Sequence, residues 1–326
     1  MCKKINRFFP CLVCFFIAAS IGLSYFTAST GVKLAYWQQC ILSEAILLIP
    51  ALIYVAINKI NIIACIPYRK LRWQDALMSL LTGYLLVPVV LFINVVTSVF
   101  ATNYLQESSL EFTSYPYLIQ VVLIAVLPAF VEEFIFRGLI YHSYRKNGIV
   151  GACIFSALAF GVMHMNLNQF FYAFVIGMFF AKMVEVTGSM WSSVLAHFAF
   201  NTYSITVVQL FKLFGIDIND MAQSAESASE LISTAANSQM MSIAMKITTS
   251  IIQIAVFGMI AAAFLLLANM LINHMAKMNG RYEYMQYYTK MGLREMNGEK
   301  FVTLPYAVTV ILAFIYMVVI EILQHL

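Results

Sequence analysis

Glu132 and Glu133 stand side by side, with Arg137 four residues on, inside a run from about Tyr117 to Tyr141 that is otherwise apolar. A charged side chain at mid-membrane costs at least ~2.5 kcal/mol. Three within six positions therefore require partners and a task. His164 ends a later apolar stretch, and His197 and Asn201 lie four apart in Leu195-Ala-His-Phe-Ala-Phe-Asn201 of another. Two imidazoles, a carboxylate and a carboxamide are what hydrolysis by an activated water needs: a base, a proton carrier and donors to an oxyanion.

Helical spacing divides the roles. Side chains four apart share a face, so Glu133 and Arg137 form a pair. Glu132 is turned about 100° away, and the local pattern leaves it no partner. An ion pair that only fixes helix packing explains Glu133 and Arg137 as well as catalysis does. Interhelical glue worth roughly 0.6–2 kcal/mol explains Asn201 taken alone. A single histidine near a helix end, such as His164, is more often a packing residue than a catalyst. The expectation of chemistry rests on the combination, spread over three helices at similar depth.

These residues are set in a chain of 326 residues, 62% hydrophobic and 10% charged, with mean hydropathy +0.84. Soluble domains are about 25% charged, so the composition predicts an all-α polytopic transmembrane helical bundle. Nine apolar runs follow one another, at 8–28, 39–58, 76–101, 117–143, 149–164, 168–186, 189–211, 243–272 and 302–324. Each is near the ~20 residues that a crossing requires. Pro88 and Pro128 should kink the third and fourth. The chain divides into about three N-terminal helices (1–115), a core of about four (116–211) and a remainder (212–326). That remainder holds a polar outer loop, one span, a cytoplasmic loop and a last span. The stretch 216–240, rich in Ser, Ala and Asn, reads as an outer loop or short surface helix. The stretch 273–300, with Tyr282, Tyr284, Tyr287 and Tyr288, reads as an interfacial segment anchored by aromatic rings.

Basic residues crowd every second connection: Lys3, Lys4 and Arg7; Lys59, Arg69, Lys70 and Arg72; Arg145 and Lys146; Lys277, Arg281, Lys290, Arg294 and Lys300. By the positive-inside rule these face the cytoplasm. The expectation is a cell-membrane protein with its N-terminus inside and, after nine crossings, its C-terminus outside. At 1.5 Å per helical residue, Glu132 lies about 18–20 Å, His164 about 22 Å, Asn201 about 20 Å and His197 about 13 Å from that face. The net charge of +4 is spread over these loops, and no concentrated basic patch points to a nucleic-acid partner.

No HExxH, GxSxG, Walker loop or DxD occurs, which removes the zincin, serine-hydrolase and nucleotide-binding readings. Cysteines at 2, 11, 14, 40, 65 and 153 lie mostly in or beside apolar runs and read as small packing residues, without a disulfide or a cysteine zinc site. Lys182 and Glu185, near a cytoplasmic helix end, are expected to snorkel. His142 should be interfacial, Asn166 and Asn168 should cap or line a turn, and Glu44 and Glu321 should lie near the outer interface.

Glu132-Glu133-x-x-x-Arg137, Phe160-x-x-x-His164 and His197-x-x-x-Asn201 occur in that order, with flanks Phe136-Arg-Gly-Leu-Ile140 and Ser193-Val-Leu-Ala-His-Phe198. They resemble the motifs of the CPBP intramembrane proteases, the family of CAAX proteases and bacteriocin-processing or immunity proteins also called Abi. The likeness covers roughly 115–210. It implies a peptide hydrolase within the membrane, acting on a membrane-associated, leader or lipidated peptide. Glu132, His164, His197 and Asn201 would be catalytic, with Glu133 and Arg137 supporting them. In the mechanism this suggests, Glu132 is the general base, His164 holds the same water and carries the proton, and His197 and Asn201 donate to the oxyanion. The expected partners are a peptide or protein substrate and the lipid bilayer, with no nucleic acid. No cofactor is favoured, because Glu132 cannot easily be both ligand and base. Glu132, His164 and His197 could nevertheless supply three ligands to zinc or another divalent metal. The alternative is a non-catalytic membrane immunity or transport protein that binds a peptide or ion with the same cluster.

Overall fold

The computed structural model describes residues 2–62, 66–101, 115–215, 239–294 and 298–324. Its helices are α1 (Cys2–Thr30), α2 (Tyr36–Ile57), α3 (Trp73–Thr97), α4 (Tyr117–Arg145), α5 (Ile149–Met163), α6 (Leu167–Thr187), α7 (Trp191–Leu213), α8 (Gln239–Met278), α9 (Tyr282–Met291) and α10 (Leu304–Gln324). No strand occurs among the described residues. The chain is a multi-pass, all-α membrane protein, and eight of these helices are long and apolar enough to cross a bilayer. The expected fifth span is the exception. α5 has 15 residues, about 22 Å of helix against a hydrocarbon core of about 30 Å. It packs along α6 and the second half of α4, so most of its surface meets protein. Most of the stretch expected to form the polar outer loop, 216–238, lies outside the described residues.

The two prolines act differently. α3 breaks at Leu86 and restarts with Pro88 in its first turn, where a missing N–H costs nothing. α4 instead changes its winding. Val121–Val126 is π-helical, Leu127–Glu133 returns to α-helix with Pro128 in its first turn, and Phe134–Tyr141 is π-helical again. The two carboxylates thus end an α-helical stretch held between two wider coils, a geometry that recurs at functional sites.

Residues without side-chain bulk bring the core helices together, as in other membrane bundles. A Cβ at Gly83 of α3 would stand 2.8 Å from the Ala199 Cβ of α7. A Cβ at Gly177 of α6 would stand 3.1 Å from the Ala157 Cβ of α5 and 3.1 Å from the Phe160 ring. α7, which carries His197, is therefore fixed at Gly83 by a contact that admits no Cβ, and α5, which leads into His164, packs on Gly177 more tightly than an ordinary Cβ contact allows.

The basic connections meet at one end of the bundle. Arg69, Arg145 and Arg281 line one cavity there, and Tyr144 donates to Asn6 of α1 at 2.7 Å. The segment after α8 is docked onto this end, beyond the interfacial anchoring expected of it. Arg72 donates to the Met278 carbonyl, Asn279 to Asp75 and Arg145 to the Tyr284 hydroxyl.

Candidate active site

Glu133 is fully buried, and its Oε1 accepts from Arg137 at 2.7 Å and from His197 Nδ1 at 3.0 Å. The pair expected from helical spacing is present, with a third member from α7. Because a carboxylate can only accept, the hydrogen of a neutral His197 ring sits on Nδ1 and its lone pair on Nε2. That Nε2 lies 3.6 Å from Glu132 Oε2. Guanidinium, carboxylate, imidazole and carboxylate form one chain. Glu132 keeps 15% of its side chain exposed, His197 4%, and Glu133 and Arg137 none. Spacing along α4 leaves Glu132 no local partner, and its neighbour comes instead from α7, as the expected clustering with His197 requires.

Arg137 is held on several sides. Its Nη2 donates to the Gly177 carbonyl at 3.0 Å. Its Cζ lies 4.5 Å from the Phe160 ring centroid and 5.3 Å from that of Phe180. Such cation–π contacts reach about 2 kcal/mol when desolvated. Phe180 also stacks on His197, with centroids 5.2 Å apart, so one pair of rings seats both the guanidinium and the imidazole.

His164 follows the last turn of α5, and its Nδ1 donates to the Phe160 carbonyl at 2.8 Å. A neutral ring so fixed presents Nε2 as an acceptor. The Phe160 ring meets His164 edge-on at 4.9 Å and His197 at 5.9 Å. His164 thus joins the cluster through an aromatic ring, and among the described residues no hydrogen bond ties it to Glu132. Asn201 donates to the Ile124 carbonyl at 3.0 Å. That carbonyl lies four residues before Pro128, which has no N–H to offer it. Asn201 compensates for the proline and retains a second amide hydrogen.

Sequence reasoning missed Glu44. Expected near the interface, it is 8% exposed and sits on a helix packed against Leu127–Glu133, the stretch that ends in the two carboxylates. Its Oε2 has no hydrogen-bond partner among the described residues. Depth could have found it. Eight residues into α2 is about 12 Å, and Glu132 is about 10 Å from the same face of a 30 Å core. Glu185, expected to snorkel, is 1% exposed and accepts from Tyr141 and twice from Arg145, each at 2.6 Å. Glu321 is buried as well, and His142 lines the cavity at the basic end. Asn166 caps α6 as expected, accepting from the Gln169 N–H at 2.8 Å, and Asn168 donates to the Thr97 hydroxyl at 2.8 Å.

Among the described residues no three His, Cys, Asp or Glu side chains are grouped to hold a metal ion. Glu132 and His197 are neighbours, and the Phe160 ring meets both histidines edge-on, but no hydrogen bond or ion pair joins His164 to either of the other two among the described residues. The trio does not fit a tetrahedral zinc with ligands at about 2.0–2.2 Å.

Residues 114–203 match the family profile described as Rce1-like, Type II CAAX prenyl endopeptidase. Over 93 residues the chain is 27% identical to a Bacillus subtilis (strain 168) protein described as "Putative membrane peptidase YdiL". That stretch is 28% of this chain and 38% of the relative, so the chain matches well under half of the relative's length. No solved structure matches. The segment 114–203 is thus similar to the CAAX-protease, or CPBP, type. It contains the whole charged chain, His164 and Asn201, and leaves out Glu44 and Arg281.

Proposed function

We propose that the protein is an intramembrane endopeptidase with Glu132 as its general base. The observation that carries this reading is the partial exposure of Glu132 at the end of a chain whose other members are locked. Glu133 has no exposed side-chain surface through which to meet water, and its charge holds Arg137. Glu132 has such a surface. It removes a proton from a water, the oxygen attacks the substrate carbonyl carbon, and a tetrahedral oxyanion forms. His164, with Nε2 open, holds the water and carries the proton to the departing amine as the C–N bond breaks. His197 Nε2 donates to the oxyanion when it bears a hydrogen, which Glu132, 3.6 Å away, exchanges with it through a bridging water. Asn201 offers its second amide hydrogen. Losing one such donor costs about 2.7–4 kcal/mol of barrier. No step is routed through a metal, because the three candidate ligands are not grouped around one point.

The substrate class is a membrane-associated, leader or lipidated peptide, reached in the cell membrane with the basic end and the N-terminus in the cytoplasm. A cavity that opens at the basic end and is lined by Arg137 is consistent with entry from that side. Comparative peptidomics of cells carrying wild-type protein or Glu132→Gln tests the reading. Peptides that disappear with the variant identify the substrate. Identical peptide pools from a folded variant would overturn the protease reading, and a phenotype retained by Glu132→Gln would favour a binding scaffold. Activity that survives exhaustive chelation is expected. Stoichiometric zinc restored together with activity would end the metal-free route.

A further inference from the structure

The cavity at the basic end has a volume of about 380 Å³ and more positive charge than it needs. Arg69, Arg145 and Arg281 line it against a single acid among the described lining residues, Glu185. A fourth arginine, Arg137, forms part of the wall but is matched by Glu133. Two positive charges are left without a counter-charge in the cavity.

The site is built rather than incidental. Glu185, 1% exposed, grips Arg145 through two 2.6 Å bonds, and its backbone carbonyl accepts from Arg281 at 2.7 Å. The same carboxylate reaches Arg281 at 3.5 Å. Gly188 makes room for that second guanidinium. Its φ is +68°, and a Cβ there would stand 2.7 Å from Arg281 Nη2. Arg137, fully buried in the wall, has an Nε hydrogen without an acceptor among the described residues. Arg69 is exposed at the mouth and has no ion-pair partner among the described residues.

Preorganised guanidinium groups converging from different segments suit a tetrahedral oxyanion with one or two negative charges. Tyr68, which also lines the cavity, packs on Trp191, and Tyr284 accepts from Arg145. Such rings mark headgroup level in a bilayer, and basic pockets between helices at that level take lipid phosphates. We propose that this cavity binds a phosphate group, either the headgroup of an anionic phospholipid or free phosphate. The cavity is the one that faces substrate entry in the protease reading, but occupancy is read without cleavage, so the two readings can fail separately.

The test uses the full chain in dodecyl maltoside, a host without phosphate. The thermal unfolding midpoint is followed while phosphatidylglycerol, inorganic phosphate or acetate is added. Phosphatidylglycerol is expected to raise the midpoint, and Arg69→Gln and Arg281→Gln to remove at least half of that rise. Lys70→Gln loses the same charge next to the cavity and should leave the rise unchanged. A rise with phosphatidylglycerol alone assigns the lipid headgroup, and an equal rise with inorganic phosphate assigns the free ion. No rise with either, an equal loss in Lys70→Gln, or acetate acting as strongly as phosphate would overturn the proposal. Should Arg281→Gln fail to fold, exposed Arg69 still decides the outcome.

Discussion

α6 and α8 are both apolar helices of crossing length, yet they live in different surroundings. In its most apolar stretch α6 is 56% buried in the protein, whereas α8, the more apolar of the two, is 11% buried. A soluble protein would reverse that order. In lipid, apolar surface gains little by turning inward, so small and polar residues are what draw helices together. α6 brings Gly177, Glu185 and the Phe180 ring to the inside, while α8 shows Met259, Leu266 and Met270 to its surroundings. The site sits where polar groups outweighed hydropathy.

Substitutions on the inner helices should break this contrast, and one on the outer helix should sharpen it. Glu132→Gln should lower cleavage about 10²–10⁴-fold while circular dichroism and the unfolding midpoint stay at wild-type values. Arg137→Met leaves Glu133 buried without its cation and should cost about 3–5 kcal/mol in reversible unfolding. The double variant Glu133→Gln/Arg137→Met should recover most of that stability without recovering cleavage. Gly177→Leu overpacks the contact with Ala157 and Phe160 and should cost about 1–3 kcal/mol, with activity falling as the carbonyl moves from Arg137. Glu44→Gln should slow turnover about tenfold, or ~1.4 kcal/mol, if a third carboxylate helps keep the wall beside Glu132 polar. Leu266→Ala, on the outward face of α8, should change stability by less than about 0.5 kcal/mol. A large loss there would mean that α8 is packed against a partner instead of lipid.

The spans were legible because a crossing imposes length and apolarity on consecutive residues. Predicted and observed boundaries differ by a few residues at most helices. The Glu133–Arg137 pair was legible for the same local reason. What lay beyond reach depends on neighbours distant in sequence. His197 closing on Glu133 and Glu185 held by Arg145 and Arg281 join residues 40 to 96 positions apart, and the helix of Glu44 packs on the distant stretch that carries Glu132. Asn201 is an intermediate case. Pro128 announces an unpaired carbonyl at Ile124, but which side chain answers it is a matter of packing. The π-helical turns left no sequence signal, since their wider hydrogen bonds need no particular residue type.

Those turns have a consequence for how the chain can change. Each residue of helix rotates the following side chains by about 100°. Glu133 meets His197 on one side of the wide coil Phe134–Tyr141, and Tyr141 meets Glu185 at its far end. Removing a single residue from between them would swing one anchor out of phase with the other. The length of that stretch should therefore be far less free to vary than the identity of its outward-facing residues.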